Sequence, residues 1–392
     1  MKLLHTADLH IGKIVNEVSM LFEQKYILEE ILKIAESEKV DGIILAGDIY
    51  DRSVPPAEAV SVLDSFLTEL VKRKIKVYMI SGNHDSAERI GFASKLLDEN
   101  GVYIAGVYDQ TIKKIRSEKD GVVVDFYLLP FAKPQVVSYF EKQVCEKEEE
   151  FEALKTYESA VKASLSHLDY DKSVVNILVT HHFVTSRGQL PEQSDSESNL
   201  SLGGIDQVDA SVFDAFDYVA LGHILGPLRI GRDTIRYAGS PLLYSFSEVN
   251  HKKSITILNI SENHEIEITV KELHPFHDMR KIRGPLQELM NPKIYEQANR
   301  EDYIQAILTD EIELLDPIGT LRSVYPNIMQ VVLEKNGQET KMETNNVGAR
   351  KHKTPMELFE EFYESVTGNE LDEKRENIMK DIIEEVMGGE EG

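Results

Sequence analysis

The fold of the N-terminal part is decided by residues 42–48, which read GIILAGD. Five apolar residues in a row are typical of a short strand that is buried on both faces. The Gly-Asp pair that follows is a turn signal, and it ends the apolar run. Asp48 is therefore predicted to lie just beyond the end of a central strand.

The same pattern repeats on both sides of this strand. Lys2–Ala7 and Lys76–Ser81 are further apolar runs, and helical spacing of apolar residues covers Phe22–Glu38 and Pro56–Arg73 between them. The order strand, helix, strand, helix, strand predicts a mainly parallel sheet with crossover helices, as in α/β proteins.

Polar side chains follow each of these strands. Asp8 and His10 come after the first, Asp48 after the second, and Asn83, His84 and Asp85 after the third. Open α/β sheets bind ligands at the carboxyl ends of their strands, so these residues are expected to converge.

The rest of the chain shows two further patterns of predicted secondary structure. Strand patterns recur up to residue 260, at Val122–Leu129, Val174–Thr180, Tyr218–Leu221, Thr234–Ala238 and Ser254–Ile260. Residues 136–168 predict one long, partly acidic helix, and Pro191–Gly204 predicts a polar loop.

After residue 274 the predicted strands Tyr303–Asp310 and Asn327–Glu334 flank a predicted helix at Ile318–Tyr325, which indicates a small α+β domain over 275–340. Residues 341–354 are predicted to be a linker, and 355–392 return to helical periodicity.

Composition limits the class of protein. The chain has 392 residues, 42% of them hydrophobic, which predicts two or three domains with real cores. Its single cysteine, Cys145, excludes an internal disulfide and fits a reducing compartment. No apolar stretch is long enough to cross a bilayer, so we expect a cytoplasmic protein without a membrane partner.

The formal charge of −25 argues against strong independent DNA binding, because DNA-binding surfaces are normally basic. Part of this charge is local, since residues 352–392 hold 13 acidic and 4 basic side chains. A bound divalent metal also makes an acidic site locally cationic, where a phosphodiester would bind. Phosphoester chemistry is therefore not excluded.

The residues at the strand ends have the chemistry of a two-metal site. Carboxylates, imidazoles and one amide oxygen suit manganese, iron or zinc. Asp8 and His10 are expected to hold one ion, Asp48 to bridge two, and Asn83 with later-strand histidines to hold the other. His84 is then free to face the substrate as a proton donor, and Asp85 is expected to orient it by a hydrogen bond. The later-strand candidates are His223 and either member of the pair His181-His182.

The ordered set of these motifs resembles the calcineurin-like metallophosphoesterases. The segments HTADLHIG (5–12), GDIYD (47–51) and YAGSP (237–241) narrow the resemblance to the SbcD nuclease subunits of that family, over essentially the whole chain.

The resemblance implies a four-layer α/β fold in which a β-sandwich (1–274) is flanked by helices, followed by a DNA-facing capping domain (275–340). It implies two manganese ions, the first held by Asp8, His10 and Asp48 and the second by Asp48, Asn83, His181 and His223, with His84 catalytic.

The resemblance also implies the activity and the partners. These are an ATP-regulated 3′→5′ exonuclease acting on double-stranded DNA ends, an endonuclease acting on hairpins and single strands, and a homodimer. The C-terminal helices 355–392 would bind an SbcC-like SMC ATPase, although they can also fold back on the body.

One ligand of the family pattern is absent. The family has a histidine two residues after His223, where this chain has Leu225. Leucine cannot donate a lone pair, so the first metal is expected to bind more weakly. The alternatives are therefore an impaired scaffold that binds DNA ends and the ATPase, or a phosphoesterase acting on phosphoprotein or nucleotide.

Overall fold

The computed structural model describes residues 1–144, 153–188, 194, 205–310, 314–335 and 338–341. The acidic run Glu146–Glu152, the predicted loop Pro191–Gly204 except Ser194, residues 342–354 of the predicted linker and the predicted helical tail 355–392 lie outside the described residues.

The strands and helices follow the chain in a regular order. The strands are β1 (Lys2–Thr6), β2 (Ile14–Val15), β3 (Val18–Ser19), β4 (Gly42–Ala46), β5 (Lys76–Ile80), β6 (Val102–Ala105), β7 (Lys113–Lys119), β8 (Val122–Leu129), β9 (Val175–Thr180), β10 (Val184–Thr185), β11 (Val208–Asp209), β12 (Tyr218–Leu221), β13 (Leu228–Ile230), β14 (Arg232–Tyr237), β15 (Ser254–Ile260), β16 (Ile266–Glu272), β17 (Met279–Gly284), β18 (Tyr303–Leu308), β19 (Ile328–Lys335) and β20 (Gln338–Lys341). The helices are α1 (Leu21–Ser37), α2 (Ala57–Lys72), α3 (Ala87–Ile90), α4 (Ser94–Asp98), α5 (Pro134–Val144), α6 (Tyr157–Ser166), α7 (Leu286–Leu289), α8 (Pro292–Tyr295) and α9 (Pro317–Arg322).

The first sheet has the strand order β16-β15-β1-β4-β5-β6. Strands β1, β4, β5 and β6 are parallel, and β15 joins β1 in the antiparallel direction. All five residues of β4 are buried, as the apolar run predicted. Helices α1 and α2 lie in the crossovers and contribute apolar side chains, such as Ile31 and Phe66, to the core cluster that includes Ile43 and Leu45 of β4. The predicted mainly parallel sheet is confirmed.

The second sheet has the order β13-β14-β12-β9-β8-β7, with β8, β9, β12 and β14 parallel. Apolar side chains from both sheets form one buried cluster, in which the rings of Tyr78 and Phe126 stack. A separate cluster joins the second sheet to α5 and α6. Helix, sheet, sheet and helix are thus four layers, as expected for the predicted fold class.

A third sheet, β17-β18-β19-β20, follows, with β17, β18 and β19 parallel and α9 between β18 and β19. The strands expected at 303–310 and 327–334 are present, and β17 was not predicted. Residues Met1–Thr340 form one compact unit. Glu23 of α1 joins the third sheet to the body, because its carboxylate accepts hydrogen bonds from the backbone N–H groups of Phe276 and His277 and from the Tyr303 hydroxyl.

The prediction of one helix over 136–168 was wrong. Helix α5 ends at Val144, and α6 begins at Tyr157 with Thr156 as its N-cap. The Thr156 hydroxyl accepts a hydrogen bond from the backbone N–H of Ser159, which makes Thr156 a start signal rather than part of a continuous helix. Within the described residues, no helix is long and apolar enough to cross a membrane.

Candidate metal centre

The three N-terminal strands deliver their polar residues to one edge. The backbone N–H of Asp8 donates to the Gly47 carbonyl oxygen at 3.0 Å, and that of His10 donates to the Asp48 carbonyl oxygen at 2.9 Å. The loops after β1 and β4 are therefore joined by backbone hydrogen bonds just past the strands. This contact places Asp8, His10 and Asp48 at the same place, as expected from the sheet order.

Two glycines of the motifs are required by close contacts. A Cβ atom on Gly82 would lie 2.1 Å from Oδ1 of Asp48, and one on Gly222 would lie 2.0 Å from the Ala46 carbonyl oxygen. Neither clash can be relieved cheaply, because backbone or a buried ligand side chain would have to move. The glycines thus allow the Asn83 and His223 loops to approach the β4 end.

Asp48 is the centre of the site. Its Oδ2 atom lies 3.3 Å from Nε2 of His181, 3.7 Å from Nε2 of His10 and 3.9 Å from Nε2 of His84. Its other oxygen accepts a hydrogen bond from the backbone N–H of His84 at 2.9 Å. Asp48 therefore occupies the position expected for a bridging carboxylate.

Asn83 connects the two later histidines. Its Oδ1 atom lies 3.1 Å from Nε2 of His181 and 3.0 Å from Nδ1 of His223. The amide oxygen and both imidazoles thus point to one position, next to Oδ2 of Asp48. This is the grouping that the sequence predicted for the second ion.

The structure distinguishes His181 from His182. Nδ1 of His181 lies 2.7 Å from the Ala46 carbonyl oxygen, so this nitrogen donates its proton and Nε2 faces Asp48. The His182 ring lies on Phe131, with Nδ1 2.8 Å from the Thr180 hydroxyl and Nε2 3.4 Å from the Ala132 carbonyl oxygen. His181 belongs to the site, and His182 is a packed core residue.

The donor atoms that lie close enough to one another to share an ion form two sets. One set consists of His10, Asp48 and His84, and the other of Asp8, Asp48 and His181. Asp8 lies with its Oδ1 atom 3.9 Å from Nε2 of His181. Its two carboxylate oxygens also accept the backbone N–H of His223, at 3.0 and 3.1 Å.

The Asp85 carboxylate accepts backbone N–H groups from Ile49 at 3.0 Å, Tyr50 at 2.9 Å and Gly82 at 2.9 Å, whereas the sequence predicted a hydrogen bond to His84. Asp85 therefore supports the loops that carry Asp48 and Asn83. Gly82 and the residues after Asp48 leave these N–H groups without a strand partner, which is why a carboxylate fits there.

His84 is oriented by Asp51 instead. Nδ1 of His84 lies 3.1 Å from the Asp51 carbonyl oxygen, which leaves Nε2 toward Asp48. The Asp51 side chain contacts Lys13 at 2.9 Å and lies 3.8 Å from His10. Asp51 ends the motif at residues 47–51, but this role could not be predicted, because a backbone carbonyl carries no residue-type signal.

The buried carboxylates and imidazoles of the site shift one another's pKa values. Burial alone would lower the pKa of His181, but the charges of Asp48 and Asp8 outweigh it and raise the pKa to about 9. Burial would raise the pKa of Asp48, but the facing His181 holds it well below its usual range. For His10 and His223, burial dominates and lowers each pKa to about 3. His10 and His223 are therefore neutral, as metal binding requires, whereas His181 carries a proton beside Asp48 that a divalent ion would have to displace.

Asp85 has the opposite shift. Burial and the charge of Asp48 raise its pKa to about 6, against the three backbone N–H groups. This carboxyl group therefore keeps a proton at mildly acidic pH, unlike Asp48 beside it.

The backbone is strained at four site residues. Asp8, His10, Asp48 and His223 have positive φ angles of 53°, 44°, 48° and 104°. Such conformations cost non-glycine residues about 1–3 kcal/mol each, and they persist where the surroundings determine them. The hydrogen bonds between the loops supply that support.

Leu225 is buried and joins the core cluster that also contains Leu9 and Tyr244. Its side chain offers no ligand atom to an ion on the His10 side, where His10, Asp48 and His84 lie close together. Nδ1 of His10 is buried and has no hydrogen-bond partner among the described residues. The donor set fits two divalent ions that share Asp48, with the fuller ligand set on the His181 side.

A family model described as calcineurin-like phosphoesterase matches residues 1–227, which is more than half of the chain. The chain belongs to the calcineurin-like phosphoesterases. A second model, described as Type 5 capsule protein repressor C-terminal domain, matches residues 275–367. As a member of this family the chain is a metal-dependent phosphoesterase, and its fold and donor atoms agree with that chemistry.

A relative that matches over its full length narrows the family membership of this calcineurin-like phosphoesterase. The chain is 34% identical over 397 residues to the SbcD subunit of the nuclease SbcCD from Staphylococcus epidermidis, and the match covers 100% of both chains. The chain is thus a member of the SbcD family, which the motifs predicted.

Two solved structures are more distant. The protein TT1561 of Thermus thermophilus is 14% identical, with a TM-score of 0.41, over 68% of this chain and 97% of that one. A dimetal phosphatase from Danio rerio is 15% identical, with a TM-score of 0.40, over 70% of this chain and 96% of that one.

Proposed function

We propose that this protein is the nuclease subunit of an SbcC–SbcD-type complex and hydrolyses DNA phosphodiesters with two manganese ions. The observation that carries the proposal is the position of Asp48. The carboxylate lies within 3.3–3.9 Å of three imidazole nitrogens from three separate segments. The proposed substrates are double-stranded DNA ends, attacked 3′→5′ under ATP control, and hairpins and single strands.

Each residue has a proposed role. Asp8, His10, Asp48, Asn83, His181 and His223 hold the ions. When bound, the ions would neutralise the phosphodiester charge and lower the pKa of an attacking water. Nε2 of His84, held by the Asp51 carbonyl, would donate a proton to the leaving oxygen or bind a phosphate oxygen. Asp85 positions the loops and does not meet the substrate.

The proposed partners follow from the family and the charge. The relative is named as a subunit of SbcCD, which supports an SbcC-like ATPase as partner, bound by helices at 355–392. We also propose a homodimer in the cytoplasm, with residues 275–340 facing DNA. An acidic chain of −25 needs a partner to supply basic DNA-binding surface.

The runner-up is an impaired scaffold subunit, which Leu225 favours because it removes a donor from the His10 side. A third function, hydrolysis of phosphoprotein or nucleotide, fits the same metal groups. It has less support because such substrates do not need the third sheet or a helical tail.

A cleavage assay tests the proposal. The full chain, alone and with its ATPase, is given manganese with a linear duplex, a hairpin and a small phosphomonoester. Manganese-dependent cleavage of DNA in preference to the monoester is expected. Preference for the monoester would instead indicate a small-substrate phosphoesterase. Copurification with the ATPase and no cleavage of any substrate would support the scaffold.

A further inference from the structure

An ion pair that the proposed mechanism does not use is buried beside the metal centre. Lys253 precedes β15 and is 5% exposed, and Glu248 is fully buried. The Lys253 ammonium group donates to Oε2 of Glu248 at 2.5 Å, to the Ser240 hydroxyl at 2.8 Å and to the Leu225 carbonyl oxygen at 2.8 Å. All three of its hydrogens therefore have acceptors.

The Leu225 carbonyl oxygen is held from two sides. It also accepts the backbone N–H of Ser240 at 3.0 Å. A Cβ atom on Gly239 would lie 2.7 Å from this oxygen, so the glycine is needed for the approach. Both lone pairs of the carbonyl are used, and the loop Gly222–Leu225 is fixed at its C-terminal end.

The other end of this loop carries a metal ligand. The backbone N–H of His223 donates to the Asp8 carboxylate, and its φ angle of 104° is in the strained region. Its Nδ1 atom faces Asn83. Only one residue separates His223 from Leu225, so displacement of the Leu225 carbonyl would release the constraint that keeps His223 in this conformation.

Stability alone is a weak reason for such a pair. Removing an ammonium and a carboxylate from water costs several kcal/mol per ion, and apolar residues of the same volume often stabilise as well or better. Fixed geometry is a better reason, because an ammonium group with three defined acceptors sets the position of each of them.

We propose that Lys253 and Glu248 are positioning residues for the ligand loop Gly222–Leu225, and that they hold His223 where it can bind the ion shared with Asp48. This inference rests on the proposed role of His223 as a metal ligand. Glu248 also links a second segment to the loop, because its Oε1 atom accepts the Ser194 hydroxyl at 2.8 Å. Ser194 is the one described residue of the predicted polar loop, and it is buried.

The test compares metal binding with folding in the full chain after chelation. Lys253→Met alone leaves the Glu248 charge buried, so the main variant is the double change Lys253→Met with Glu248→Leu. Manganese affinity is measured by calorimetry, the environment of bound Mn²⁺ by electron paramagnetic resonance, and folding by thermal unfolding. We expect the double variant to fold and to bind manganese on the His223 side about 10–100-fold more weakly, with an altered spectrum. The single change Lys253→Arg keeps a positive charge beside Glu248, so it should retain more of the manganese affinity than the double variant does.

A matched control removes another ion pair whose carboxylate is buried. The Asp125 carboxylate is paired with Arg116 through two hydrogen bonds of 2.7 and 2.8 Å. Arg116→Met with Asp125→Leu should change the unfolding temperature without changing manganese affinity. If the Lys253 variant does not fold, Ser240→Ala removes one hydrogen bond of the ammonium group, and it should weaken manganese binding by about 2–5-fold, which corresponds to loss of about 0.5–1 kcal/mol.

The outcomes separate the two proposals. Wild-type manganese affinity and spectrum in the folded double variant, or in Ser240→Ala when the double variant is unfolded, would overturn the positioning role. A wild-type protein that binds two manganese ions but cleaves no DNA would overturn the proposed function and leave the positioning role standing. A wild-type protein that binds no manganese would overturn both.

Discussion

Nδ1 of His84 lies 3.1 Å from the carbonyl oxygen of Asp51, and this contact determines which nitrogen of His84 faces the metal centre. A carbonyl oxygen only accepts, so Nδ1 carries the proton in the neutral ring and Nε2 is directed to the side of Asp48. His84 is 28% exposed in its side chain, whereas the His10 and His181 side chains are buried. A side chain that is held at one ring nitrogen and partly exposed is suited to contact with substrate.

His84→Gln is therefore expected to reduce turnover and spare the metals. Loss of a proton donor typically costs about 10²–10⁴-fold in rate. Manganese affinity should change by less than tenfold, because the six proposed ligand side chains remain. Calorimetry and DNA cleavage by the same preparation check this. If manganese affinity and cleavage rate fell by the same factor, His84 would instead be a metal ligand.

Asp48→Asn is expected to abolish binding at both metal groups. The substitution keeps the size of the side chain but removes the charge that three imidazoles face. We expect manganese affinity and DNA cleavage to fall by more than about 100-fold, beyond the effect of losing an outer-shell partner. Asp120→Asn, at an exposed turn, is the control and should leave both unchanged. Residual two-ion binding in Asp48→Asn would contradict the bridging role.

Leu225→His is expected to strengthen manganese binding on the His10 side. The backbone at residue 225 is fixed by Lys253 and Ser240, so a histidine there starts from a defined position. Affinity for the weaker of two manganese ions should rise by about 10–100-fold. Leu225→Phe removes the leucine packing without adding a donor, and it should show no gain. If the histidine raises neither affinity nor cleavage rate, the assignment of this group is wrong.

Asp85→Ala is expected to act through the loops rather than through proton transfer. The substitution leaves three backbone N–H groups of Ile49, Tyr50 and Gly82 without their acceptor, at a cost of about 1–3 kcal/mol for each group that stays buried. The unfolding temperature and metal affinity should fall together, while the pH profile of any remaining cleavage keeps its shape. A changed pH profile with unchanged affinity would restore the role of orienting His84 that the sequence predicted.

Asp125 gives a prediction for stability in acid. The Arg116 guanidinium holds the pKa of Asp125 below its usual value, with Lys114 adding to the effect. Because the pKa is lower in the folded state than in the unfolded one, the stabilisation is present above about pH 4 and is lost as the pH falls below that. Asp125→Asn should reduce the free energy of unfolding at neutral pH and have a smaller effect near pH 3. Urea unfolding at both pH values measures this, and an equal loss at both would contradict it.

Much of the fold could be predicted because its signals are local. The apolar run 42–46 and the helical spacing of 22–38 depend on neighbours in sequence, and both elements are present nearly as predicted. The break between α5 and α6 was missed because the cap formed by Thr156 and Ser159 is weak evidence beside an otherwise helical composition. Strand β17 was missed because its charged residues hide the alternation.

The site was predictable to the extent that residue types alone indicate metal-binding chemistry. Carboxylates, histidines and one asparagine at strand ends indicated six candidate metal ligands, and the structure brings these six side chains together. The contacts of Asp51 and Lys253 were not predictable, since both act on or through backbone carbonyls of residues distant in sequence. The backbone contacts of Asp85 were not predictable for the same reason, because backbone N–H groups that lack a strand partner leave no mark in the sequence.

The left-handed backbone at Asp8, His10, Asp48 and His223 has a consequence for handling the protein. These conformations are held by hydrogen bonds between protein groups, so the ligand frame does not need an ion to assemble. We therefore expect chelation to be reversible without refolding, and the emptied protein to accept manganese, iron, cobalt or zinc in turn. Titration of the same protein with each cation would then give the order of their affinities for one rigid set of ligands.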